Sequence, residues 1–126
     1  MELTKINYVD EAERVVNTLQ KDKFGIPILT TSRIRNILMT SATIYDRVKR
    51  KRGPLSEDEI ADVQVLRIKL IYESGRNEPG VRDFLNKSNL IEKIKEIGDN
   101  REKLILYCKY IEALTAYHRY FGGRDN

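Results

Sequence analysis

The chain has 126 residues, 40% of them hydrophobic, with 23 basic and 19 acidic side chains and a net charge of +4. That length suits one domain able to bury roughly two thirds of the surface its unfolded chain exposes. Three prolines and seven glycines exclude a low-complexity chain, and a single cysteine with a single histidine excludes an intramolecular disulfide and a zinc-ligand cluster.

The first residues, MELTKINYVDEAER, mix charges of both signs and contain no apolar run, so no signal peptide is read there. No window approaches the ~18 apolar residues of a membrane span. A cytoplasmic protein with no membrane contact and no cofactor is expected.

Residues 1–126 read as a single all-α domain, a compact bundle of about five helices. The first covers 8–20, with Val9, Ala12, Val15, Val16 and Leu19 at helical spacing. Gly25 and Pro27 mark a connection over 21–29. Thr30, Thr31 and Ser32 are good N-caps for a second helix, which is expected to run to Arg52 and stop at Gly53-Pro54. Ile34, Ile37, Leu38, Ile44 and Val48 form its apolar stripe, and Asn36, Thr40, Thr43, Arg47 and Arg50 share the opposite face.

Ser56 and Glu59 have capping-box spacing and open a third helix that ends near Gly75. Its apolar residues, Ile60 to Tyr72, leave only a polar strip of Glu59, Asp62, Lys69 and Glu73. A helix so nearly apolar all round is expected at the centre of the bundle. Pro79 suits the first position of a fourth segment, which is broken near Ser88-Asn89 and ends at Gly98. Asp99 and Glu102 repeat the capping-box spacing before a last helix that runs to Phe121. No repeat of 20–50 residues and no strand-like alternation is present.

No catalytic set emerges. His118 has no second histidine or carboxylate to orient it and reads as a core histidine with one satisfied hydrogen bond. Cys108 reads as a buried, inert thiol. Acids 57–59 and Asp62 read as helix-terminus charges, and four tyrosines over 107–120 as core and rim.

The charge is concentrated. Between 33 and 52 lie Arg33, Arg35, Arg47, Lys49, Arg50, Lys51 and Arg52 against one acid, Asp46, so this segment carries +6 and the rest of the chain −2. A helix C-terminus explains one or two of these cations, and the remainder form an electrostatic footprint for a polyanion or an acidic protein. Arg67, between Val63 and Ile71 of the third helix, is open to two roles: pairing within the bundle or serving a binding surface.

Four stretches in order resemble one family. They are LTTSRIRNIL (29–38), RIKLIYESGR (67–76), VRDFL (81–85) and YCKYIEALTAYH (107–118). Together they are similar to the small subunit of type III-A CRISPR effector complexes, over about residues 28–123. The resemblance implies a non-catalytic five-helix bundle that serves antiviral defence. Several copies would stack head to tail as a minor filament, lie against the backbone and large subunits, and line the channel that holds the guide RNA–target RNA duplex. By position it carries RNA contact onto Arg33, Arg35, Arg67, Lys69 and Arg76, while Arg47, Lys49, Arg50, Lys51 and Arg52 join them on charge alone. Two alternatives stay open: a protein-interaction subunit whose patch meets an acidic partner, and a DNA-binding regulator. For the regulator, Gly53-Pro54 does not set up a recognition helix.

Overall fold

The computed structural model describes residues 2–126. Among these, six α-helices and one 3-10 turn pack around one apolar core, with no strand longer than an isolated bridge between Lys21 and Pro27. The helices are α1 (Tyr8–Asn17), α2 (Arg35–Val48), α3 (Glu57–Gly75), α4 (Val81–Ser88), α5 (Leu90–Lys95) and α6 (Arg101–Tyr120). The all-helical expectation holds.

The centre is α6, not α3. Leu104, Tyr107, Cys108, Tyr110, Ile111, Leu114 and His118 are all buried along α6, and α1 and α2 pack on it. On α3 the inward row is Val63, Leu66 and Leu70, and two of the four residues of the expected polar strip turn inward with it: Glu59 is 6% exposed and Glu73 2%. Each of these carboxylates finds an arginine, Arg101 for Glu59 and Arg76 for Glu73. Paired in this way, the acids tolerate burial, and Val65, Ile68, Ile71 and Tyr72 are left facing outward.

Several boundaries move for local reasons. The second helix begins as a 3-10 turn over Thr31–Ile34, and its α-helical part stops at Val48, so Lys49, Arg50, Lys51 and Arg52 lie in the α2–α3 connection. Pro79 stays outside α4, whose N-cap is Gly80. The break between α4 and α5 falls at Asn89, in the left-handed region at φ 60°. At α6 the cap is Asn100, whose side chain accepts from the Lys103 N–H, rather than Asp99. The Ser56–Glu59 capping box is present in full.

Leu29 locks the ends of the bundle together. Its carbonyl accepts from Nε2 of buried His118 at 2.7 Å, the single satisfied bond expected for that ring. On the other side, Gly80 sits at φ 82°, and a Cβ there would lie 2.7 Å from the Leu29 nitrogen. Gly80→Ala therefore combines left-handed strain with a backbone clash and is expected to cost about 2–4 kcal/mol in a denaturant melt. Gly53→Ala is the control: its φ is 79° but nothing lies within 4 Å of the added Cβ, so the loss is smaller.

Candidate nucleic-acid interface

Two antiparallel helices, α2 and α3, build the site. Their facing sides leave a cleft of about 330 Å³ lined by Asn36, Met39, Thr40, Thr43, Ile44 and Arg47 from α2 and by Asp62, Val65 and Lys69 from α3. The polar face read from the second helix is thus one wall of a groove. Lys69 reaches across it and donates to Oγ1 of Thr40 at 2.8 Å. Arg47 reaches the other way, to Asp62 at 3.3 Å. Both are single contacts between partly exposed groups, and such pairs are weak enough to yield to a phosphate.

The cationic loop follows directly on Arg47 and Val48 at the C-terminal end of α2. Lys49 pairs with Asp46 at 3.1 Å and lies over the Tyr45 ring. Lys51 stands 3.9 Å from Glu59. Arg50 and Arg52 are exposed and have no hydrogen bond or ion pair among the described residues.

The loop is clamped from below. Arg101 donates to both Glu59 oxygens at 2.8 Å and to the carbonyls of Val48 (3.3 Å), Gly53 (3.0 Å) and Pro54 (3.1 Å). Both side chains of the pair are 7% exposed. The Arg101 hydrogen bonds, with the Ser56 amide second, hold the Glu59 carboxyl down at about 2. From sequence, Glu59 reads as a cap and part of a polar strip, and Arg101 has no assigned role. A signal did exist: a cation at the first position of a helix opposes the helix dipole and needs a local partner.

The other candidates divide. Arg33 and Arg76 lie at the opposite end of the α2–α3 pair, on the order of 20 Å away along the helix. There Glu78 sits between them, 3.8 Å from Arg33 and 3.5 Å from Arg76, and Arg76 also meets Glu73 at 3.3 Å. Arg33 further donates to the carbonyls of Ile28 and Pro79, so this corner is a structural knot with little free charge. Arg35 is exposed in the first turn of α2 without a partner among the described residues. Arg67 lies on the outward face of α3 beside Gln64, Ile68, Ile71 and Tyr72. Of the basic residues, Arg47 and Lys69 line the groove and Lys49, Arg50, Lys51 and Arg52 sit in the loop after α2, with the remainder elsewhere.

Side chains that could carry chemistry are occupied by structure. Tyr107 and Tyr110 donate their hydroxyls to the carbonyls of Leu90 and Ser88. Cys108 is 5% exposed, and burial pushes its thiol up to about 11. Iodoacetamide at about pH 8 is expected to leave the folded chain unlabelled and to modify Cys108 fully in denaturant, as read by intact mass. Among the described residues no cluster of metal-ligating side chains is present, and no helix is long and apolar enough to cross a membrane.

These features define a small helical bundle with a cationic groove between two helices. A family model for Csm2 Type III-A matches residues 4–124. The CRISPR system Cms protein Csm2 of Streptococcus thermophilus is 44% identical, with 98% of each chain covered. The protein of the same name from Mycobacterium tuberculosis is 36% identical over 99% of each chain, and that of Enterococcus italicus 40% identical over 77% of this chain and 71% of its own. The chain belongs to the Csm2 family, the small subunit of the type III-A CRISPR Csm effector complex.

Proposed function

We propose that this chain is a non-catalytic subunit of the type III-A ribonucleoprotein that holds the guide RNA–target RNA duplex by its backbone. Copies of it stack as the minor filament against the backbone and large subunits. The observation that carries this reading is the α2–α3 cleft: Arg47 and Lys69 on facing walls, Asn36, Thr40 and Thr43 along the α2 wall, and unpaired Arg50 and Arg52 in the loop that follows α2. Cations and small polar side chains suit phosphate and 2′-hydroxyl groups, which are the same at every sequence. Reading of sequence is left to base pairing, as suits a channel that must accept any target. The non-catalytic role is supported by the structural occupation of His118, Cys108 and Glu59.

The test compares target duplexes of two unrelated sequences on reconstituted particles, with and without charge at the groove pair (Arg47→Gln with Lys69→Gln). Equal losses for both sequences, on the order of tenfold at low salt, support the reading. A loss confined to one sequence, or none at all, overturns it.

A further inference from the structure

Large apolar side chains stay exposed on two separate flanks, α3 and α1–α6. On α3, Ile68 is 67% exposed, Ile71 52% and Tyr72 65%. Ile68, Ile71 and Tyr72, with Gln64 and Arg67, line a shallow cleft of about 490 Å³. Arg67 stands beside this apolar row with no hydrogen bond or ion pair among the described residues.

The second flank is aromatic and acidic. Tyr117 meets Tyr120 edge-on at 6.2 Å and stacks on Phe121 at 6.0 Å, so the rings brace one another. Tyr120 is 76% exposed, and Val9 lies exposed on neighbouring α1. Glu13, Ala116, Tyr117 and Tyr120 line a cleft of about 440 Å³. Partial burial raises the Tyr117 phenol above its ordinary value, and the nearby Glu13 and Asp10 carboxylates add to the effect. Neither acid has an ion pair among the described residues.

A braced aromatic platform beside carboxylates attracts a guanidinium and repels phosphate. The row of Ile68, Ile71 and Tyr72 offers the matching apolar surface, with one unpaired guanidinium beside it. The two flanks are far apart in the fold, since α1 packs on α6 and α4 whereas α3 packs on α2, α4 and α5. Two different surfaces meeting between copies form a heterologous contact, which propagates along a chain of subunits. We infer that the α3 face of one copy seats on the α1–α6 aromatic face of the next, with Arg67 meeting Glu13 beside the tyrosine rings. This rests on the reading that copies adjoin in the assembled particle.

The test is a reciprocal charge exchange in the reconstituted complex, with copies per particle counted by native mass spectrometry. Arg67→Glu and Glu13→Arg each place like charges together and are expected to strip copies, with inter-copy affinity falling on the order of tenfold. The double variant restores the wild-type number. Thermal melting of each chain by circular dichroism separates a lost contact from a lost fold, and Tyr120→Ala gives a second, charge-neutral variant expected to strip copies too. Wild-type copy number in the single variants and in Tyr120→Ala, or a folded double variant that fails to recover, overturns this pairing. Crosslinks between copies at other surfaces would overturn it while leaving stacking intact. A wild-type particle holding one copy would overturn both.

Discussion

Removing the charges of Arg47, Arg50 and Arg52 together is expected to weaken the particle's hold on target RNA for every sequence and to flatten its salt dependence. Arg50 and Arg52 are exposed and unpaired, and the pair of Arg47 with Asp62 is a single 3.3 Å contact on the surface. All three are therefore free to release counterions from phosphates. Each lost contact lowers the slope of log affinity against log salt by about 0.7–0.9, so the triple alanine variant loses about two units of slope. Affinity at low salt falls on the order of tenfold to a hundredfold. The fold is not the cause, since none of the three supports the core, and the chain's own melting temperature should move by no more than about 2 °C. Alanine at Arg33 should do the opposite: it loosens the corner at Glu78, Ile28 and Pro79 and leaves the salt slope nearly unchanged.

The second large effect comes from beneath the loop. Arg101→Met leaves the Glu59 carboxylate buried without its partner and frees the carbonyls of Val48, Gly53 and Pro54. A broken buried pair of this kind should lower the melting temperature by about 10–20 °C. The same clamp predicts an acid limb. Glu59 is held at about 2 against an ordinary 4.5, chiefly by Arg101. A depressed carboxyl contributes its full stability above pH 4.5 and loses it as pH falls toward 2. Thermal melts across that window should show the loss in the wild type and a flatter profile in Glu59→Gln. Because the clamp fixes both ends of the loop that carries Arg50 and Arg52, RNA affinity should fall with it.

Most of the fold was legible because local signals and periodicity agreed. Ser56 and Glu59 announced the start of α3, Gly53-Pro54 the turn before it, and Asn89 the break between α4 and α5. The α2 stop was not legible. Lys49, Arg50, Lys51 and Arg52 all favour helix, and only the carbonyl contacts of Arg101, 53 residues on from Val48, show why the chain turns there. The orientation of α3 was hidden for the same reason: periodicity cannot foresee that two carboxylates will be buried by distant or terminal arginines. The groove wall of Asn36, Thr40, Thr43 and Arg47 was readable from one helix, whereas its partner wall needed the fold. The net charge of 33–52 overstated the free charge, because Arg33, Arg47, Lys49 and Lys51 each face a carboxylate.

The central claim, that the α2–α3 groove and its loop face the RNA, is tested most directly by photocrosslinking. Reconstituted particles carrying a target RNA with photoreactive uridines would be irradiated and the adducts mapped by mass spectrometry. The account predicts RNA adducts on peptides containing Arg47, Arg50, Arg52 and Lys69, and none on those containing Glu13 or Tyr120. Adducts on the α1–α6 face, or a groove that crosslinks only to protein, would contradict it.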